Sequence, residues 1–457
     1  MNYPSDTPER QASYEESSFC INVENLKFDV IGQDDNNENI YQICKEDFPA
    51  FMHEWWHYIQ YIAFVSAQNG FYLWLRDLAR IQKYIVESSE ENIHIPLPYD
   101  QYGELMNKDR IIFFQNLGGD DDDGTIKKSA VIDCDPTYKD IVIKNNGQAF
   151  TIKSCLISVG GKEKCFGIYA LQELNSFYLQ KIAEAFFDGI NFTIPADAAP
   201  TFPYHIGDKL FQYYDIKCDI RTKFIISTLC LDSLDAPYTF IEVLKKYKGQ
   251  ELNYNRDRSR LVKDICQLQN IEKIISAIDS WVKDYKEWTG DKGWAEPLKD
   301  AIQWYIQTLY EFPCAKERSG EDIIALTVSR DLEGMTKLYS SAPAPLLKHG
   351  GMIRGSQNDS LHISEDTQKS FDSAMTIWSC RRIYEMLICS RKEKMKELSK
   401  CELYANCPYK EKIGKKYDCA LSPITIVKKM KKAECPYALA EWMLGLWQKD
   451  VSVDIND

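Results

Sequence analysis

The chain has 457 residues, enough for two or three hydrophobic cores, and its 44% hydrophobic and 12% aromatic content is that of a globular protein and excludes a disordered one. Lys and Arg number 55 against 68 Asp and Glu, a formal net charge of -13, so the average surface repels phosphate backbones and acidic membranes and nucleic acid is not an expected partner. The N-terminal MNYPSDTPERQASYEESS lacks both the basic and the apolar region of a secretory signal, no later run is apolar for long enough to span a bilayer, and the 15 cysteines are an odd number in a chain too large to need disulfide staples; all three point to a cytoplasmic protein without a membrane partner.

Residues 1–20 are polar and read as a flexible lead. Phe19 to Val23, Leu26 to Val30 and Asn39 to Ile43 resemble strands, interrupted by Asp34-Asp35-Asn36-Asn37. Asp47-Phe48-Pro49 is a helix start, with Asp47 able to cap and Pro49 in the first turn, and a long helix is expected from there past Phe64. A second amphipathic helix is predicted from Phe71 to Ser88 by the spacing of Leu73, Leu75, Leu78, Ile81 and Ile85. From 109 to 166 the character changes to β-like runs at Ile111 to Phe114, Ala130 to Ile132, Ile141 to Ile143 and Cys155 to Val159, separated by Gly, Asn and Asp. Helical pattern resumes at Tyr169 and dominates to the end, including a Trp-rich stretch from Ile271 to Phe312. The stretch from Ser340 to Asp366, with Pro343, Pro345 and Gly350-Gly351, reads as a loop or hinge. The expected organisation is α+β: a catalytic part over 21–250 with an inserted β region at 109–166, then a mainly α-helical domain over 251–457.

The run His53-Glu54-Trp55-Trp56-His57 matches H-E-x-x-H inside the first predicted helix. Positions i and i+4 share a helix face roughly 5–6 Å apart, so two imidazoles can reach one zinc ion. Glu54 lies near the same edge, where it can take a proton from a water whose pKa zinc lowers to roughly 7. Only six histidines occur in the chain, which makes a chance match to this pattern rare. The alternative reading of His53 and His57 is that of core histidines beside Trp55 and Trp56.

These residues resemble the zincin metallopeptidases. The metzincin extension needs Gly at 60 and His at 63, where this chain has Gln60 and Ala63, so the similarity is to the gluzincin branch, in which a Glu from a later helix completes the metal site. The resemblance implies a zincin-like fold and a zinc metalloprotease, a hydrolase acting on protein or peptide substrates by a zinc-bound water with Glu54 as general base. Among the residues available, Glu173 is the best third ligand: it is the carboxylate in the first turns of the largely apolar Gly167 to Tyr178 segment, where a buried acid needs a reason. Glu184, Glu104, His94 and His205 compete with it. Thermolysin-like gluzincins carry an Asp four residues after the Glu ligand to orient a histidine, and Phe177 stands there in this chain. Tyr204 and His205, in a loop bounded by Pro203 and Gly207, are the candidate donors to an oxyanion.

Two further features are weaker. Cys401, Cys407, Cys419 and Cys435 form a group that four thiolates would make into a second, structural metal site, against the plainer reading of unligated thiols. The Lys-rich stretch from Arg391 to Cys435 reads as the solvated face of helices or as a surface for an acidic partner. Two other functional classes stand beside the peptidase: a regulatory, partner-binding protein that keeps the scaffold and binds a protein through its helical C-terminal part, and a zinc hydrolase of a non-peptide amide or ester.

Overall fold

The computed structural model describes residues 13–15, 20–33, 39–97, 118–120, 125–145, 148–187, 189–192, 195–290, 346–349, 352–355, 365–388, 401 and 435–453. Among these residues helices alternate with four small sheets, an α+β architecture in the general sense. Strands β1 (Ser13–Glu15), β2 (Cys20–Asn22), β3 (Phe28–Gln33) and β4 (Asn39–Ile43) precede α1 (Phe48–Ala63). Asp47 sits at the N-cap of α1 but its side chain does not cap the helix. Instead its buried carboxylate accepts from the Lys27 backbone N–H at 2.8 Å, tying the strand region to the start of the helix.

The predicted long helix past Phe64 is broken there. Phe64 is extended at φ -105°, ψ 133°, and α2 (Val65–Glu87) starts at the next residue, six positions before the expected Phe71. Its register is fixed by burial of Leu73, Leu75, Leu78, Ile81 and Ile85, the spacing that marks it as amphipathic in sequence.

The β region contains β6 (Thr137–Asn145), β7 (Gln148–Val159) and β8 (Lys162–Phe166), an antiparallel sheet in the order β6-β7-β8, after a short β5 (Asn92–Ile95). Ala130 to Ile132 forms no strand and contributes a single bridge, Ile132 to Val159. Ile111 to Phe114 lies outside the described residues. Strand β8 leads through Gly167 directly into α3 (Ile168–Ala185). A Cβ on Gly119, whose φ is +91°, would stand 2.6 Å from the backbone nitrogen of Gly167, so only glycine allows the loop to pack against the start of α3.

Helices α4 (Ile206–Tyr213), α5 (Ile220–Cys230), α6 (Ala236–Lys246), α7 (Tyr254–Gln269) and α8 (Ile271–Gly290) follow. The β6–β8 sheet packs on α6, with Tyr138 on Tyr238 and Phe166 on Phe240. Among the described residues, β1 and β2 pack on α1. The sheet that contains β1 and β2 thus borders the motif helix.

The stretch expected to be a loop or hinge holds an antiparallel pair, β9 (Leu346–His349) and β10 (Met352–Gly355), and β9 runs parallel to β2. Farther on lie α9 (Glu365–Ile388), α10 (Pro436–Met443) and β11 (Asp450–Val453), the last paired parallel with β5. Tyr72 of α2 stacks on Trp281 and donates to Asp284 at 2.6 Å, and Trp74 meets Tyr384 edge-on. The elements on the two sides of residue 250 therefore share one contiguous core. Among the described residues no helix is long and apolar enough to cross a membrane.

Candidate metal centre

Helix α1 is buried almost all round; only Ala50, Glu54 and His57 are partly exposed. Their spacing of four and three residues puts them in one stripe along the helix, so the side that reaches solvent is the one carrying Glu54 and His57. His53, one turn before His57, is 7% exposed. Helix α3 lies along α1 and is buried at every position from Ala170 to Gln180. Glu173 is the one charged residue in that run, and it is 6% exposed. An ionised carboxylate there needs a cationic or metal partner.

Three side-chain atoms meet at this point. Nε2 of His53 lies 3.1 Å from Oε2 of Glu173, Nε2 of His57 lies 3.5 Å from the same oxygen, and the two Nε2 atoms are 3.2 Å apart. Donors bound at zinc–ligand lengths of about 2.0–2.1 Å in tetrahedral geometry stand about 3.3–3.4 Å from one another. The triangle thus has the dimensions of one face of a zinc tetrahedron. It is the one group of three or more His, Cys, Asp or Glu ligand atoms that comes together among the described residues.

The electrostatics of the triangle favour a proton on His57 and none on Glu173. Burial alone pulls the His57 imidazolium down, but the charge and hydrogen bond of Glu173, with Glu54 and Gln60 adding to them, push its pKa up to about 9. Burial works against the Glu173 carboxylate too, yet the two imidazoles hold it well below the usual carboxylate range. The centre is an imidazolium–carboxylate pair in which a divalent cation would take the place of the His57 proton.

The surroundings orient one ring more firmly than the other. Nδ1 of His57 faces Oε1 of Gln60 at 2.9 Å, so the residue that departs from the metzincin pattern is the one touching the His57 ring. Nδ1 of His53 is buried with no hydrogen-bond partner among the described residues, the one departure from the usual arrangement in which a ligating histidine donates its second N–H. The donor types and their spacing fit zinc.

Asn175, two residues after Glu173, ties the helices together. Its Oδ1 accepts from Trp56 Nε1 at 2.6 Å and Gln60 Nε2 at 3.0 Å. Its Nδ2 donates to the Phe224 carbonyl at 3.2 Å, Ser227 Oγ at 2.8 Å and Thr228 Oγ1 at 2.9 Å on α5. Gln60 and Asn175 were not legible as site residues from composition. Their signals are positional: Gln60 is at i+3 from His57 on the same face, and Asn175 is an amide inside an apolar helix run.

The competing ligands are placed elsewhere or not described. Glu184 accepts from the Ala196 backbone N–H at 2.7 Å and from Gln180 at 3.2 Å, which commits it to the loop after α3. His94 is exposed on β5, with Nδ1 2.7 Å from Ser452 Oγ. Glu104 lies outside the described residues. The Tyr204 ring is 5.9 Å from that of His53, centroid to centroid, and 6.1 Å from that of Phe177. His205 turns to Phe177, at 4.7 Å, and its Nε2 is buried without a partner among the described residues. Phe177, standing where a thermolysin-like chain has Asp, therefore forms an aromatic wall with Tyr204 and His205. Cys401 and Cys435 are half-buried, while Cys407 and Cys419, with the Lys-rich stretch, lie outside the described residues. Comparison of the chain with protein-family models, with curated proteins and with solved structures returned no match.

Proposed function

We propose that the protein is a zinc-dependent hydrolase of the gluzincin type that cleaves peptide bonds, with His53, His57 and Glu173 as metal ligands and Glu54 as general base. The observation that carries this reading is the triangle of two Nε2 atoms and one carboxylate oxygen with edges of 3.1, 3.2 and 3.5 Å. It joins residues 120 positions apart in the chain, so it is not a by-product of helix spacing.

Zinc held there would supply a Lewis acid for the substrate carbonyl and bring the pKa of water to about 7. Glu54 lies on the partly exposed stripe of α1 beside His57 and acts electrostatically on that ring. It takes the proton of the attacking water and returns it to the leaving amine. Tyr204, beside His53, donates its hydroxyl to the developing oxyanion. The retention of a carboxylate at 54 favours catalysis over a purely structural metal, which needs no base.

The test uses purified full chain. One zinc per chain, with cleavage of denatured protein or peptide substrates, is expected. Glu54→Gln should keep its zinc and fold while losing about 10²-fold or more of the rate, the usual size of a general-base contribution. Tyr204→Phe should keep zinc and lose rate as well, and His53→Ala should lose metal and activity together. Full activity in Glu54→Gln would overturn the mechanism, and loss of zinc from that variant would make Glu54 a ligand.

A further inference from the structure

We infer that Gln60 is a positioning residue which fixes the tautomer of His57, holding the proton on Nδ1 so that the Nε2 lone pair faces Glu173 and His53. The inference deepens the zinc reading at one point, since it names what presents one ligand atom, but its first test needs no metal.

The side-chain amide of Gln60 is fully buried. Its Nε2 stands 3.0 Å from the carbonyl oxygen of Gln172, a group that can only accept. It also donates toward Asn175 Oδ1 at 3.0 Å, and Asn175 cannot turn its amide around because its Nδ2 is committed to the Phe224 carbonyl and two α5 hydroxyls. The orientation of Gln60 is thereby set by two acceptors outside the site. Its Oε1 is what remains to face His57 Nδ1, at 2.9 Å. A carbonyl oxygen only accepts, so Nδ1 must donate, and a neutral ring protonated at Nδ1 leaves Nε2 bare. That is the nitrogen 3.2 Å from His53 Nε2 and 3.5 Å from Glu173 Oε2.

The chain of orientation therefore starts at the α3 backbone and at α5, and ends on the ring one turn before Gln60. It takes over the part that an acidic residue at 177 plays in thermolysin-like enzymes, from a neutral amide on the motif helix itself. Hydrogen bonds of this kind to a ligating histidine carry about 10–100-fold in metal affinity.

Two measurements test it. In metal-free wild-type protein, raised in pH until the nitrogen signals of the His57 imidazolium have given way to those of the neutral ring, the nitrogen chemical shifts of His57 should show a protonated Nδ1 and a bare Nε2; the opposite tautomer would overturn the inference whether or not the protein binds zinc. The second compares Gln60→Met with Trp56→Phe. Both remove a donor to Asn175 Oδ1, so both perturb the packing of α1 on α3, but only the first removes the carbonyl 2.9 Å from His57 Nδ1, leaving there the more distant Ser176 hydroxyl at 3.4 Å, which can donate as well as accept. Gln60→Met should mix the His57 tautomers and weaken zinc binding by about 10–100-fold, while Trp56→Phe keeps the tautomer. Equal tautomer ratios in the two variants would reduce Gln60 to a packing residue. If Gln60→Met does not fold, the wild-type tautomer alone decides. A wild-type chain that takes up no zinc would sink the hydrolase reading without touching this measurement.

Discussion

Raising the pH from 7 to 9 should tighten zinc binding by about fiftyfold, on the way to about a hundredfold once the ring is fully neutral. In the metal-free protein His57 titrates at about 9 because Glu173 outweighs the effect of burial, so at pH 7 roughly one molecule in a hundred has that ring neutral. Zinc requires the neutral ring, and each pH unit below the pKa costs a factor of ten, about 1.4 kcal/mol, so two units amount to about 2.7 kcal/mol. The apparent affinity should climb with a slope of one proton per zinc from pH 7 to near 9 and level off above it. Competition against a chelator across pH 6.5 to 10 reads the slope, and titration in a weakly buffered solution reads the proton released. Glu173 contributes no proton in this window, since it is held ionised well below the usual carboxylate range. An affinity that does not change between pH 7 and 9, or zinc uptake without proton release, would refute the picture of a protonated His57 beside an ionised Glu173.

The same pair predicts how metal-free stability follows pH. A raised His57 stabilises fully below its unfolded pKa of about 6.5 and loses that contribution as pH rises toward about 9, whereas a depressed Glu173 loses its contribution as pH falls below the ordinary carboxylate range. Melting temperature without zinc should thus decline from pH 6.5 to 9, and zinc should abolish the decline; a metal-free protein that gains stability over that interval contradicts it. Glu173→Gln should weaken zinc binding strongly, and Glu184→Gln should leave it unchanged because Glu184 is bound to the Ala196 backbone; equal zinc affinities measured for the two variants would remove Glu173 from the site. Asn175→Ala strands the buried Trp56 indole N–H and part of the Gln60 amide, and leaving buried donors unpaired costs about 1–3 kcal/mol each. A fall of about 2–4 kcal/mol in chemical denaturation is expected, and a change under 0.5 kcal/mol would show that the amide is dispensable.

What was legible in the sequence was what is local. The helix carrying His53 and His57 starts within a residue of its expected position because Asp47-Phe48-Pro49 marks a boundary that any neighbour would respect. The break at Phe64 carries no Gly or Pro; it arises where the chain turns from one buried helix straight into another, a tertiary effect that periodicity cannot register. The strands β9 and β10 were hidden by Pro343, Pro345 and Gly350-Gly351, which read as loop chemistry. The pairing of β9 with β2 joins residues more than 300 apart, since Cys20 pairs with Leu346, and no window of neighbouring residues contains that information.

The site divides along the same line. Two histidines four apart and a lone acid in an apolar run are visible because each contradicts its local background: rare residues at helical spacing in one case, a charge where burial is expected in the other. Gln60 and Asn175 contradict nothing, since an amide is tolerated on any helix and reveals its use only when its partners are known. Those partners sit 112 and 115 positions away for Gln60; for Asn175 they sit 49 to 53 away on α5 and 115 and 119 away on α1. A metal site on helices needs this less visible half most, because a rotation of α3 about its axis or a slip along it would carry Glu173 out of reach of both rings. Hydrophobic packing between α1 and α3 resists such a slip weakly, being non-directional. Asn175, satisfied at once by α1 and α5, resists it directionally, and the geometry at Glu173 two residues earlier inherits that constraint.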